Sequence, residues 1–337
     1  MRISIIVAVY KIGEAYLRKC LHSVTKYVSD EVEVIIVDDG SPDNCGIICD
    51  EFSSIKNVHV IHQENQGVSV ARNTGIENST GEFIIFVDGD DFINEQLISN
   101  LLEVSDEYDL IYFKYGHNKI PASCGSGTLK DCCIGSYDLL KSILLQIEPM
   151  ESISIASPWG KVYRRQFLQK NKISFNKSLR KCQDREFNLY YLESKPKIGV
   201  LDYFGYIYIT NSDSVCNRYN EKIINYYENL RFAYKDFINK FFADNEEIIN
   251  CYCISQYIFL YEICLVLFFH KDNPNKKERI KKFISFYTDN YSNLNIDKRL
   301  RKDLRINIKC FIFLLKMNFY KLLPLFFNLI SFYKKIR

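Results

Sequence analysis

A chain of 337 residues can bury a substantial core, and its 47% hydrophobic and 25% charged residues are those of a globular protein, not a disordered one. The net charge of +3 conceals a polarity: residues 1–112 hold 20 Asp and Glu against 7 Lys and Arg, whereas 296–337 hold 11 Lys and Arg against 2 Asp. The acidic front excludes a nucleic-acid groove there and suits a site that binds metal cations.

Twelve cysteines occur without a single CxxC spacing, which argues against both a metal cage and a disulfide framework. Read as reduced, small apolar residues, they point to a reducing compartment. The N-terminal stretch runs directly into a strand pattern with no separate apolar leader. The expected location is therefore cytoplasmic.

Ile3–Val9 is an apolar, β-branched run suited to a strand buried on both faces. Leu17, Cys20, Leu21, Val24 and Val28 then recur at helical spacing. Val32–Val37 is a second strand and ends in Asp38-Asp39-Gly40-Ser41-Pro42. Val58–Ile61 is a third, Gly67–Glu77 a helix, and Phe83–Val87 a fourth strand ending in Asp88-Gly89-Asp90-Asp91. A helix is expected from about Glu95 to Val104 and a strand at Leu110–Phe113. Pro121–Gly135 reads as a loop, Tyr137–Ile147 as a helix, and the chain after about Glu221 as helical and strongly aromatic. Strands alternating with helices imply parallel pairing, and ligands of such open sheets bind beyond the carboxyl ends of the strands. Both acidic clusters fall at that edge.

Two carboxylates one residue apart at a strand end can converge on one hard cation, Mn²⁺ or Mg²⁺, which also takes phosphate oxygens. An acidic turn that caps the following helix has the same composition. Four blocks in fixed order decide between them. Ser4–Tyr10, Val34–Ser41, Asn65–Ile76 (with Ala71-Arg72-Asn73) and Gly81–Asp91 together resemble the inverting family 2 glycosyltransferases of GT-A fold, of the bacterial surface-polysaccharide type. The resemblance is firm over 1–115 and weaker to about 215.

It implies an α/β fold, a mostly parallel sheet flanked by helices, with a helical C-terminal appendage. It also implies a UDP-sugar donor held by Val9 and Tyr10 at the base, by Asp39 at the uracil imide N–H, and by Asp38, Arg72 and Asp88. Asp90 would be the metal ligand, and Asp184, in Gln183-Asp184-Arg185-Glu186-Phe187, the general base of an inverting transfer to a hydroxyl of a glycan or lipid-linked oligosaccharide. Gln183 stands where similar enzymes carry Glu, and Glu186 is the competing carboxylate. Trp159, the only tryptophan, either stacks on an acceptor sugar or anchors the core. Lys161, Arg164 and Arg165 either meet a diphosphate or a phospholipid, or are solvated.

Residues 311–333 are apolar but interrupted by Lys316, Lys321, Pro324 and Asn328, so an unbroken span of about 20 apolar residues is absent there. With Lys298, Arg299, Arg301, Lys302, Arg305 and Lys309 ahead of it, the tail reads as an interfacial element on an anionic membrane surface, or else as a packed appendage. The expected division is a catalytic domain at 1–220, made of a nucleotide-binding half 1–115 and an acceptor-side half 116–220, followed by a helical region 221–337. Two rival classes are weighed. A dinucleotide-dependent oxidoreductase requires GxGxxG after the first strand, where this chain has Val9-Tyr10-Lys11-Ile12-Gly13. A non-catalytic, membrane-associated nucleotide-sugar-binding protein with a degenerate site is disfavoured by intact Asp39, Asp88, Asp90 and Asp184.

Overall fold

The structure, a computed structural model, describes residues 2–94, 96–103, 107–210, 218–294 and 304–336. β1 (Ile3–Val9) is buried because it has a strand on each side: β2 (Val32–Asp38) and β4 (Phe83–Asp88), both parallel to it. β3 (Val58–His62) pairs parallel with β2 and completes the first half of the sheet. Its odd-numbered side chains, Ile3, Ile5, Val7 and Val9, share a core with Leu17, Cys20, Leu21 and Val24 of α1 (Glu14–Thr25) and with Cys45, Ile48 and Cys49 of α2 (Cys45–Asp50). α3 (Val68–Glu77) lies against the other face, at Ile6. The buried cysteines pack as small apolar side chains, and every described cysteine is a free thiol.

The second half of the sheet is mixed. After β5 (Phe92–Ile93) and α4 (Leu97–Leu102) come β6 (Leu110–His117), β7 (Leu129–Asp131), α5 (Ser136–Leu145), β8 (Lys161–Arg164), α6 (Arg165–Lys170), α7 (Gln183–Glu193) and β9 (Ile198–Tyr208). The nine strands run in the order β3-β2-β1-β4-β8-β6-β9-β5, with β7 also on β9. β8 is antiparallel to both β4 and β6, while β6 and β9 are parallel. Parallel pairing thus holds for the front four strands, and the short strands β5, β7 and β8 add antiparallel pairs to it. β7 also falls inside the stretch read as a loop. The ends of the helix expected at Glu95 and Val104 lie outside the described residues.

The chain divides into two compact units, residues 1–140 with 148–210, and residues 141–147 with 211–337. The second unit contains α8 (Ile223–Phe241), α9 (Glu246–Ile263, continued by a π-helical turn to Phe268), α10 (Arg279–Asn290), α11 (Ile306–Lys316) and α12 (Leu323–Ile336). Asn245 caps α9 by accepting the Ile248 N–H at 3.0 Å. Among the described residues one helix, Glu246–Phe268, is long and apolar enough to cross a membrane, but 72% of its apolar window is buried. Its Phe259 ring lies 5.3 Å from Tyr227 and 5.5 Å from Tyr234 of α8, so it is the core helix of its unit.

α3 approaches β1 so closely at Gly75 that a Cβ there would stand 2.3 Å from Ile6 Cγ2. Alanine gains about 1 kcal/mol of helix propensity over glycine, but overpacking a buried contact costs about 1–3 kcal/mol. Gly75→Ala is expected to lower the urea midpoint, for a net loss of up to about 2 kcal/mol. A raised midpoint would show that the sheet yields to α3.

Candidate active site

The two acidic turns meet at one end of the sheet. In the strand register Val9 pairs with Asp38 and Ala8 with Asp88, so the turns after β2 and β4 flank the carboxyl end of β1. Val9 itself is buried in the core, and its carbonyl accepts the Asp39 N–H at 2.9 Å. Tyr10 is 43% exposed there, with the Lys11 ammonium over its ring at 5.5 Å from the centroid.

Asp38 is buried and accepts the Ser41 N–H at 3.1 Å. Its other oxygen lies 3.0 Å from His62 Nδ1, and His62 Nε2 lies 3.0 Å from Asp50 at the end of α2. Asp50 first, and then Asp38, raise the pKa of the imidazole above its ordinary value. Asp39 is also buried, and four donors fill its carboxylate: Gln63 Nε2 at 2.7 Å, Gln66 N–H at 2.9 Å, Gly67 N–H at 2.7 Å and Asn65 Nδ2 at 3.1 Å. A carboxylate has about four acceptor positions. In this structure Asp39 therefore holds the 63–67 loop, and a uracil imide N–H can pair with it only in exchange for the Gln63 or Asn65 amide.

At the end of β4, Asp88 takes an ion pair from Arg72 of α3 at 2.7 Å. Arg72 is buried, with its guanidinium 5.3 Å from the Phe175 ring, so it is not a solvated helix arginine. Asp91 is buried as well; the Tyr206 hydroxyl and the Ile209 N–H each donate to it at 2.7 Å. Burial first, and then the Asp88 charge, push its pKa up to about 8. Gly89 separates Asp88 from Asp90 because a Cβ there would stand 2.4 Å from Ile12 Cδ1.

Asp90 differs from its neighbours. Burial and the Asp88 charge raise its pKa, and no basic group offsets them. Such a carboxylate, with hard oxygen donors beside it, fits Mn²⁺ or Mg²⁺, which keeps water and phosphate oxygens as most of its ligands. Among the described residues no group of three or more His, Cys, Asp or Glu could hold a metal unaided. Asp90 would hold it together with substrate and water oxygens.

The reach from this edge to α7 runs through Asn73. Its amide donates to the Phe175 carbonyl and accepts the Phe175 N–H, both at 2.8 Å and both buried. The Phe175 ring stacks on Phe187 of α7 at 4.0 Å and 2°. Asp184 lies in the first turn of α7, half-buried, and accepts only the Arg185 N–H, at 3.0 Å. Beside it the Gln183 Oε1 is buried with no hydrogen-bond partner among the described residues. Cys182, in the left-handed region at φ 58°, turns the chain into the helix.

Two sequence expectations are corrected here, for Glu186 and Lys161, and of the two readings of Trp159 the core one holds. Glu186 is buried, accepts the Asn176 amide at 3.0 Å and has its pKa raised by burial, so it belongs to the packed side of α7 and not to an acceptor face. Trp159 is core: it stacks on Tyr206 at 4.7 Å and meets Tyr115 at 5.0 Å, which leaves no face for a sugar. Lys161 is neither solvated nor at a diphosphate; fully buried, it donates to the carbonyls of Ser154 and Ser157 while burial pulls its pKa down. Arg164 and Arg165 likewise donate to the carbonyls of Tyr108 and Gly81. Sequence reasoning missed His62, Asn73, Asp91 and Tyr206. Asn73 stood within a quoted block, but its partner lies 102 residues away.

The His62 bridge has a sign that can be checked. A histidine whose pKa rises on folding contributes stability that is full below its unfolded value and is lost as pH climbs through the folded one. Relative to His62→Gln, the protein is expected to melt highest below pH 6.5, with the margin shrinking as pH rises. An equal margin at pH values well below and well above that value would refute the ionic bridge.

Comparison with known proteins follows this geometry. The model of "Glycosyl transferase family 2" matches residues 4–171. Glycosyltransferase GlyA of Streptococcus pneumoniae is 34% identical over 52% of this chain and 26% of its own. Poly(ribitol-phosphate) beta-N-acetylglucosaminyltransferase TarS of Staphylococcus aureus is 28% identical over 63% of this chain and 36% of its own. The chain thus spans well under half the length of either relative. Among solved structures, TarS 1–349 in complex with UDP-GlcNAc superposes with a TM-score of 0.64 at 22% identity, over 96% of this chain and 90% of that one. Mannosyltransferase PcManGT of Pyrobaculum calidifontis, in complex with GDP-Man and Mn2+, does so with a TM-score of 0.50 at 12% identity, over 84% and 75%. The fold is the expected GT-A type, an α/β sheet flanked by helices with a helical C-terminal region, and the chain belongs to glycosyl transferase family 2.

Proposed function

We propose that the protein transfers one sugar from a UDP-sugar to a hydroxyl of a glycan acceptor, with inversion and with Mn²⁺ or Mg²⁺, in surface-polysaccharide synthesis. The observation that carries this reading is the pair of acidic turns flanking the end of β1, with Asp90 left uncompensated between Asp88, paired with Arg72, and the buried, hydrogen-bonded Asp91. The nucleotide in the TarS complex supports a UDP-sugar, and the Mn2+ in the mannosyltransferase complex supports use of a divalent metal. A lipid-linked oligosaccharide on the inner face of the cell membrane is the acceptor class, reached with the C-terminal region on an anionic membrane surface.

Each residue has a task in this scheme. Tyr10 stacks on the base, and Asp39 reads it by exchanging one side-chain amide for the imide N–H. Asp38, braced by His62, supports the ribose side. Arg72 orients Asp88 toward the ribose through their ion pair. A metal ion held through Asp90 would supply charge to offset the departing diphosphate. Asp184 takes the acceptor proton; it is separate from the diphosphate-side carboxylates, as attack opposite the leaving group requires.

Two variants test this reading. Asp90→Ala should bind UDP weakly and without metal dependence in calorimetry; retained metal-dependent binding would remove Asp90 from the site. Asp184→Asn keeps shape but not basicity, so donor affinity should hold while transfer falls about 10²–10⁴-fold. Near-normal transfer by Asp184→Asn would place the base elsewhere.

A further inference from the structure

α12 is apolar on both sides, which a helix packed on one face does not require. Its inner side, Leu323 and Phe327, is buried, and Phe327 meets Tyr261 at 5.4 Å and Phe311 at 5.6 Å. Leu325, Leu329, Phe332 and Tyr333 form a second stripe at spacings of four, three and one, each more than half exposed. α11 repeats the arrangement. Ile308, Phe311, Ile312 and Leu315 are buried, whereas Ile306, Cys310, Phe313 and Met317 recur every three or four residues on the exposed side. The turn between the helices joins the stripes: Phe319 lies 6.4 Å from Phe313, and exposed Leu322 leads into α12.

Charge identifies what covers this face. From Leu304 to Arg337 the chain has seven Lys and Arg and no Asp or Glu. A second copy docking the same patch would bring like charges together. An anionic lipid surface is complementary to both properties, taking apolar side chains below its headgroups and lysines among them. Helices of 11 and 14 residues rise only about 17 and 21 Å, too short to cross a hydrocarbon core of about 30 Å. We infer that α11, the turn and α12 form a monotopic docking face for anionic bilayers, with Phe313, Leu325 and Leu329 as inserting anchors and Lys316 and Lys321 as headgroup contacts. This deepens the membrane component of the proposed function and stands on residues outside the candidate active site.

The test is flotation of the full chain with vesicles of phosphatidylglycerol and phosphatidylcholine, against phosphatidylcholine alone. The wild type should float with the mixed vesicles only. Phe313→Glu/Leu325→Glu/Leu329→Glu, all at exposed positions, should lower the bound fraction about tenfold or more, with circular dichroism and melting unchanged. Lys316→Glu/Lys321→Glu should weaken binding and remove its dependence on the anionic lipid. The inference is overturned if the wild type stays with the soluble fraction or the triple variant floats as the wild type does. It is equally overturned if the triple variant turns an oligomer into a monomer without losing flotation. Hydrolysis of UDP-sugar in vesicle-free solution is read in parallel. A wild type that floats but neither binds nor hydrolyses the donor would refute the proposed function and leave the docking face standing.

Discussion

β1 has a strand on each flank and helices on both faces, and that position leaves no room for a charge along its length. A buried parallel strand must be apolar on both faces, so ionisable chemistry is pushed to where the ladder stops. The register then does the rest: the last residues of β1 sit opposite Asp38 on one side and Asp88 on the other. Two acidic turns more than 45 residues apart in sequence become neighbours of one strand end because the strands carrying them start together, at Ile3, Val32 and Phe83.

A second constraint ties the later chain to this edge. The Asn73 side chain imitates a strand partner, giving and taking one hydrogen bond with the backbone of Phe175. Leaving those two buried backbone groups unpaired would cost about 1–3 kcal/mol each. From Phe175 the aromatic stack on Phe187 fixes α7, and Asn188 of α7 donates to the carbonyls of Ala156 and Ser157. Lys161 holds that same loop from beneath. The helix carrying Asp184 is thus placed by amides, rings and one buried lysine, and its buried side mixes Phe187, Leu189, Tyr191 and Leu192 with Glu186 and Asn188.

This explains which parts were readable in the sequence. β1, β2 and β4 are uniform β-branched runs, and α1 has a clear apolar stripe, so local pattern and tertiary role agree. β9, the longest strand, was missed because Gly199, Asp202 and Gly205 interrupt its pattern; its Gly205 leaves room for Leu97 and Phe113, which a local reading does not reveal. α7 is hidden for the reason just given: Glu186 and Asn188 occupy buried positions that pattern reading assigns to solvent. Trp159 could be placed only once β9 supplied Tyr206 and Tyr208 to stack on it. Motif and order revealed the acidic turns, but not which carboxylates were already spoken for.

That distinction bears on mechanism. A buried carboxylate is tolerated when donors or a cation meet it, and each acid that shapes the site has such partners. Asp38 has His62 and the Ser41 N–H, Asp39 has the 63–67 loop, Asp88 has Arg72, Asp91 has Tyr206 and Ile209, and Glu186 has Asn176. Asp90 and Asp184 are less fully met: one is raised in pKa by burial and its neighbour's charge, and the other's carboxylate accepts only the adjacent N–H, with the buried Lys161 as its charge partner. Protein groups have satisfied the acids that build the site and have left two incompletely partnered, one at the end of β4 and one at the start of α7. A transfer reaction needs two such groups, one to meet the charged leaving side and one to take a proton on the opposite side. The incomplete partnering of Asp90 and Asp184 is the physical ground on which the proposed division of labour stands.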